Sequence, residues 1–235
     1  MRVNTDKLRP VADFFIVLFF GAALGLSSAK AEDAGSPDDL TSLLETWLKG
    51  VRCLSADFEQ VYQHPLAKKP RVSKGKIEIK RPGLVRLDWK SPEHRLIIIG
   101  KTEAISYDPG DKQVLRGQKD AVMDASIFLF LGDTADLDED FYARKLIETQ
   151  GKEGLEPLMV LELSPRKPSS AYARLLVTFK TRPVRILRVV AVEPNGGLNA
   201  FTLRNVKINE GLSDKRFEFA TPPGVREIPI TPQKR

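Results

Sequence analysis

The sequence predicts a single α+β domain built on a large, strongly curved antiparallel sheet. Three observations carry that reading. From Leu54 onward, short segments alternate apolar and polar residues, the period-two pattern of a strand with one face buried. The links between segments are mostly turn chemistry, as at Pro82–Gly83, Pro109–Gly110 and Asn195–Gly196–Gly197. Such short links favour antiparallel neighbours, because parallel strands need crossovers of about a dozen residues. Only two helical segments are readable in the rest of the chain.

The first helix is written in "SPDDLTSLLETWLKG". Ser36 is placed to cap it, Pro37 occupies the first turn with two acids, and Gly50 stands past its end, the expected punctuation of a helix. Leu40, Leu43, Leu44, Trp47 and Leu48 recur at helical spacing and form one apolar stripe. Eleven strands are then expected, at 54–63, 74–80, 84–89, 94–100, 103–107, 112–116, 141–148, 157–164, 173–180, 184–193 and 198–209. One interruption, "DAVMDASIFLFLGD" at 120–133, reads as a second short helix near 121–131. The acidic run "DTADLDED" at 133–140 reads as a solvated loop, since it lacks the spacing of a calcium-binding loop.

The N-terminus reads as an export signal. Arg2, Lys7 and Arg9 precede the apolar run Phe14–Leu26, and Ala29–Lys30–Ala31 has the small-residue pattern of a cleavage site. The run has 13 residues, whereas a membrane-spanning helix needs about 20. Residues 1–31 are therefore expected to be a signal peptide, leaving 32–235 as the folded domain. Four basic and two acidic residues would leave with it, taking the net charge from +6 to +4. That balance is too weak and too dispersed to indicate nucleic acid. Cys53 is the only cysteine, so no disulfide can form within the chain, and it reads as a small apolar filler or a quiet surface thiol.

The strand faces pose the central question. In "GKIEIKRPGLVRLDWKSPEH", Ile77, Ile79 and Arg81 share one face against Lys76, Glu78 and Lys80; Val85, Leu87 and Trp89 then oppose Leu84, Arg86 and Asp88. Phe58 lies on the apolar side of "LSADFEQVYQ". Two short helices cannot cover the apolar side of eleven strands. Either the sheet closes on itself around a filled interior, or it encloses a space for an apolar ligand. The outward charges argue against a barrel that faces lipid. No H-E-x-x-H, C-x-x-C, G-x-S-x-G or phosphate loop is present, and the two histidines, His64 and His94, are isolated, so neither an enzyme nor a metal site is indicated.

The blocks "LSADFEQ" (54–60), "GKIEIKRPGLVRLDWKSP" (75–92), "GKTEAISYDPGDKQV" (100–114) and "FEFATPPGVREI" (217–228) together resemble the LolA family of periplasmic carriers of outer-membrane lipoproteins. The resemblance runs in order over nearly the whole domain. It implies an unclosed barrel of eleven antiparallel strands, with short helices as a lid over an apolar cavity. It also implies a monomeric, periplasmic carrier without cofactor or covalent chemistry. Acylated lipoproteins or another lipid cargo, an inner-membrane exporter and an outer-membrane acceptor would be its partners.

On that resemblance Phe58, Ile77, Ile79, Val85, Leu87 and Trp89 would line the acyl cavity. Arg81, in the arginine–proline turn, would reach backbone carbonyls of the lid and hold it closed, a task suited to the five fixed donors of a guanidinium. Two departures bear on the cargo. Val85 stands where the family often has an aromatic residue, and Leu87 where it often has tryptophan. A carrier of glycolipid or another acylated molecule, or a docking protein with a filled interior, are the alternatives. The basic stretch 64–75 reads either as an electropositive docking surface or as a solvated turn.

Overall fold

The computed structural model describes residues 37–119, 137–149, 158–169 and 171–230. The export signal expected over 1–31 and the helix expected near 121–131 lie outside them.

Helix α1 (Pro37–Gly50) is followed by strands β1 (Cys53–Gln63), β2 (Arg71–Lys80), β3 (Leu84–Ser91), β4 (Arg95–Ile99), β5 (Ala104–Asp108) and β6 (Gln113–Gly117). A one-turn helix α2 (Leu137–Asp140) leads into β7 (Phe141–Thr149), β8 (Leu158–Pro165), β9 (Arg174–Thr181), β10 (Val184–Val192) and β11 (Leu198–Ile208). A 3₁₀ turn (Asp214–Phe217) precedes β12 (Arg226–Ile230). The acidic run is thus not all loop: its last four residues form α2, and Leu137 is fully buried.

All twelve strands belong to one sheet, in the order β12-β6-β5-β4-β3-β2-β1-β11-β10-β9-β8-β7. Two meanders, β1–β6 and β7–β11, are joined side by side where β1 pairs antiparallel with β11. The order is linear, so the sheet is an unclosed barrel with β12 and β7 at its edges. Register shifts at Ser55/Asp57, Lys74/Gly75, Lys145/Ile147 and Ile186/Arg188 mark the irregularities that bend strands and increase local twist.

The expectation of eleven antiparallel strands needs one correction. A twelfth strand, "REIPI", runs parallel to β6. Its direction follows from its connection: the chain leaves β11 and crosses the outer face before reaching the far edge, and a long crossover permits a parallel partner. Pro229 inside it is tolerated because proline can sit on an edge strand, where one side needs no ladder hydrogen bonds.

The concave face carries the main core. Leu40, Leu44 and Leu48 of α1 are buried against it, with Trp47 packed alongside, and α1 contacts β7, β8 and β10. Leu43, expected in the same stripe, is 36% exposed. The outer face of β3–β6 has a core of its own, made by Leu84, Leu96, Ile98, Ile105 and Val114 with Phe217. Leu212, Phe219 and Val225 of the C-terminal segment pack against it. In β4 the run Leu96–Ile99 is therefore buried on both faces.

This C-terminal strap is fastened by charge as well as by apolar contact. Arg216 makes a two-pronged contact with Glu78, a carboxylate that is nearly fully buried. Arg86 donates to the Arg216 carbonyl at 3.1 Å. Lys80 donates to Leu212 O (2.7 Å) and to Asp214 Oδ1 (2.6 Å), while Lys101 reaches Asp214 Oδ2 at 2.8 Å. The hydrogen bonds from Lys101 and then Lys80 hold the Asp214 carboxyl down at about 2, below its ordinary 3.8. A group depressed on folding stabilises the fold fully above its ordinary value and loses that contribution as pH falls toward its folded value. Protection of the 212–219 amides from hydrogen exchange should hold down to about pH 4 and then fall between about pH 4 and 2 relative to that of β1. Asp214→Asn should lower this protection at neutral pH and flatten the acid step.

Candidate functional site: the concave apolar face and its two ends

Strand register assembles the expected residues into rungs. Ala56, Ile77, Leu87 and Ile97 stand opposite one another across β1–β4. So do Leu54, Ile79, Val85 and Ile99. In the third rung Phe58 and Trp89 flank Gly75, where an added Cβ would lie 2.3 Å from the Asp88 carbonyl and 2.7 Å from the Phe58 ring. Glycine is thus what lets the Phe58 ring cross its neighbour strand and meet Trp89 edge to face at 5.6 Å. Phe201 of β11 closes on the other side of Phe58 at 5.5 Å. Such aromatic pairs add specific geometry to plain burial.

Phe58, Ile77, Ile79, Val85, Leu87 and Trp89 are all between 0% and 7% exposed and belong to one apolar cluster with the α1 leucines. The sequence places them on one face. What it does not show is that they are shut from water beneath α1 and the strands of the second meander.

At the end of the face nearest the β1–β2 hairpin, a polar cleft of about 430 Å³ opens beside Trp89. Its floor is a hydrogen-bonded chain: Trp89 Nε1 donates to Gln60 Oε1 (2.6 Å), and Gln60 Nε2 donates to Asn199 Oδ1 (2.9 Å). Arg95 lies over the Trp89 ring at 5.3 Å, and Tyr62 donates to Glu193 at 3.3 Å. The apolar interior thus ends in a wall of satisfied polar groups.

At the opposite end, where α1 finishes, lies a cavity of about 580 Å³ with apolar walls and basic residues on its rim. Arg81 is here, half-buried beside Pro82, with its backbone N–H donating to Arg52 O at 2.9 Å. Lys49, Arg52 and Lys80 share the rim. Cys53 is buried beside them, the apolar-filler role rather than a surface thiol.

One residue that sequence reading overlooked ties this end together. Asn209, just past β11, has φ +60. Its Oδ1 accepts from the N–H groups of Arg52 (2.8 Å) and Cys53 (3.2 Å), and its Nδ2 donates to Gly50 O (3.0 Å). It therefore caps the C-terminal end of α1, where carbonyls lack partners within the helix, and pins that end to the start of β1. The only sequence signal was an asparagine before a glycine-containing turn, which usually means no more than a turn.

The two histidines are separately engaged. His94 Nε2 lies 3.0 Å from Asp88 Oδ1, and His64 Nδ1 accepts from the Leu66 N–H at 3.2 Å.

The molecule is thus of the class in which an unclosed, curved sheet keeps an apolar concave face beneath a helix. Residues 49–220 match the family described as outer membrane lipoprotein carrier protein LolA. The chain belongs to that family. It is 29% identical over 213 residues to the outer-membrane lipoprotein carrier protein of Pseudomonas paraeruginosa, spanning 90% of this chain and 96% of that one. To the protein of the same description from Pasteurella multocida it is 30% identical over 203 residues, 86% and 90% of the two chains. Among solved structures, an uncharacterized conserved protein from Thermus thermophilus superposes with a TM-score of 0.53 at 13% identity, covering 81% of this chain and 99% of that one, a likeness of fold alone.

Asn209→Ala removes three side-chain hydrogen bonds and places alanine at positive φ, so it should cost about 1–3 kcal/mol of stability. Urea unfolding monitored by circular dichroism checks this. Asn209→Gly, which relieves the backbone but not the lost bonds, should recover only part.

Proposed function

We propose that this protein is a periplasmic carrier that shields the acyl chains of lipoproteins against its concave face while they pass from the inner to the outer membrane. It would be exported by the segment 1–31, take cargo from an inner-membrane exporter and yield it to an outer-membrane acceptor. Neither covalent chemistry nor a cofactor enters the scheme. Family membership and the descriptions of the relatives support the carrier role.

The observation that carries the binding site is the weakness of the cover over a strong apolar face. Helix α1 buries three leucines, Leu40, Leu44 and Leu48, worth about 2 kcal/mol each against water. A sixteen-carbon acyl chain buried in their place gains about 12 kcal/mol at about 0.8 kcal/mol per methylene. One chain therefore outweighs the helix's own apolar anchorage. Phe58, Ile77, Ile79, Val85, Leu87 and Trp89 would then contact acyl chains instead of α1 and its neighbours. Arg81, at the hinge end of α1, would gate that exchange.

The close packing of the six residues also suits the rival reading, a docking protein with a permanently filled interior. Lipopeptide titration separates the two. In Trp47→Phe, Trp89 is the one remaining tryptophan. Its emission should shift saturably on adding a diacylated lipopeptide, and the unacylated peptide should leave it unchanged. No shift with the lipopeptide, together with no uptake of an apolar dye, would mean that the interior is filled and closed.

A further inference from the structure

The β1–β2 hairpin ends in a seven-residue tip, 64–70, in which every residue is exposed. The tip is nonetheless braced. Gln63 Nε2 donates to His64 O (2.9 Å) and Ala67 O (2.7 Å), the Ala67 N–H donates to His64 O (3.0 Å), and the Leu66 N–H donates to His64 Nδ1 (3.2 Å). This turn holds Leu66 outward at 89% exposure, the highest of any large apolar side chain among the described residues.

Two of the other four such exposures gather at the same end of the sheet. Val72, at 46%, is the register partner of Val61, and Leu198, at 43%, is that of Gln63. Residues 61 and 63 alternate with the inward Phe58, so Val72 and Leu198 lie on the outer side, away from the proposed cargo face. The tip itself carries Lys68 and Lys69, which have no ion-pair partner among the described residues, and at its base, on the opposite side from Val72, Arg71 pairs with Glu93, itself well exposed.

A projecting leucine flanked by unpaired lysines fits a surface that is anionic outside and apolar just beneath. A bilayer with anionic headgroups has that layering. An acidic protein would satisfy the lysines, but it would also need a matching apolar socket for Leu66.

We propose that the β1–β2 tip is a membrane-docking element: Leu66 enters the headgroup–acyl boundary of an anionic phospholipid bilayer, and Lys68 and Lys69 lie at phosphate level. The docking needs no cargo and so does not rest on the carrier reading. Where that reading holds, docking brings cargo to the bilayer at a defined end of the molecule. Tyr62 and Arg71, register partners at the base of the tip, both line the cleft that reaches Trp89.

Flotation of the cargo-free protein with vesicles tests this. It should float with phosphatidylcholine vesicles containing phosphatidylglycerol, stay behind with pure phosphatidylcholine, and be released by high salt. Lys68→Gln with Lys69→Gln should lower partitioning about thirtyfold, and Leu66→Asn about tenfold or more. Tyr142→Ser, which removes an apolar side chain 61% exposed on β7, should change nothing, and all these exposed-site variants should melt like the parent. The proposal is overturned if the parent does not float with anionic vesicles, if the tip variants float as well as the parent, or if the tip engages only a soluble acidic protein. A negative result leaves the acyl-chain reading untouched, because no cargo is present.

Discussion

A sheet this wide with an apolar concave side can exclude water only if something is laid across it, and among the described elements the main cover is one helix. That imbalance governs the rest of the structure. Helix α1 meets the sheet through a narrow stripe of leucines, and its C-terminal end is fixed by Asn209 to the first residues of β1. Fixed at one end and packed on the core through Leu40, Leu44 and Leu48, α1 is suited to being displaced by a better apolar partner. The strands beneath it are cross-linked through backbone ladders from edge to edge and would keep their places. A rigid wall and a replaceable cover are what a carrier of apolar chains requires.

The outer face solves a different problem. Strands β3–β6 also carry apolar residues on their outer side, and β4 is buried on both faces, so that half of the sheet needs a second cover. The C-terminal strap provides it with Phe217, Phe219 and Val225, and then finishes as an edge strand beside β6. Its charged fastenings are Arg216 on Glu78 and the two lysines on Asp214, whereas Leu40, Leu44 and Leu48 of α1 join the concave core. The two covers thus differ in kind: the strap is bolted, while α1 rests mainly on apolar contact. The proposed displacement of α1 would therefore leave the outer core in place.

The strands were legible because side-chain alternation and turn residues are local signals, and each of the eleven expected segments matches one strand, with ends that differ by a few residues. β12 was not, because five residues containing Pro229 carry too little alternation to stand out. The outer core left a trace in "LIII" of β4, an unbroken apolar run where a one-sided strand would alternate; its meaning depended on a strap more than a hundred residues away. The six concave residues were legible as a face but not as a sealed interior, since Phe201 and the α1 leucines reach them only through tertiary packing. Arg81 could be placed at the end of β2 by parity, whereas the role of Asn209 depends on a positive φ and on partners far away in sequence.

The most direct test of the account is native mass spectrometry of the protein isolated from the periplasm, with lipid extraction of the same sample. The account predicts a bound species carrying acyl chains, released when α1 is restored to the sheet by delipidation. An acylated peptide or lipoprotein would identify the cargo as proposed, and a glycolipid would keep the mechanism while replacing the cargo. A clean cargo-free mass that persists after incubation with lipopeptide would contradict it, and the concave face would then be a filled core.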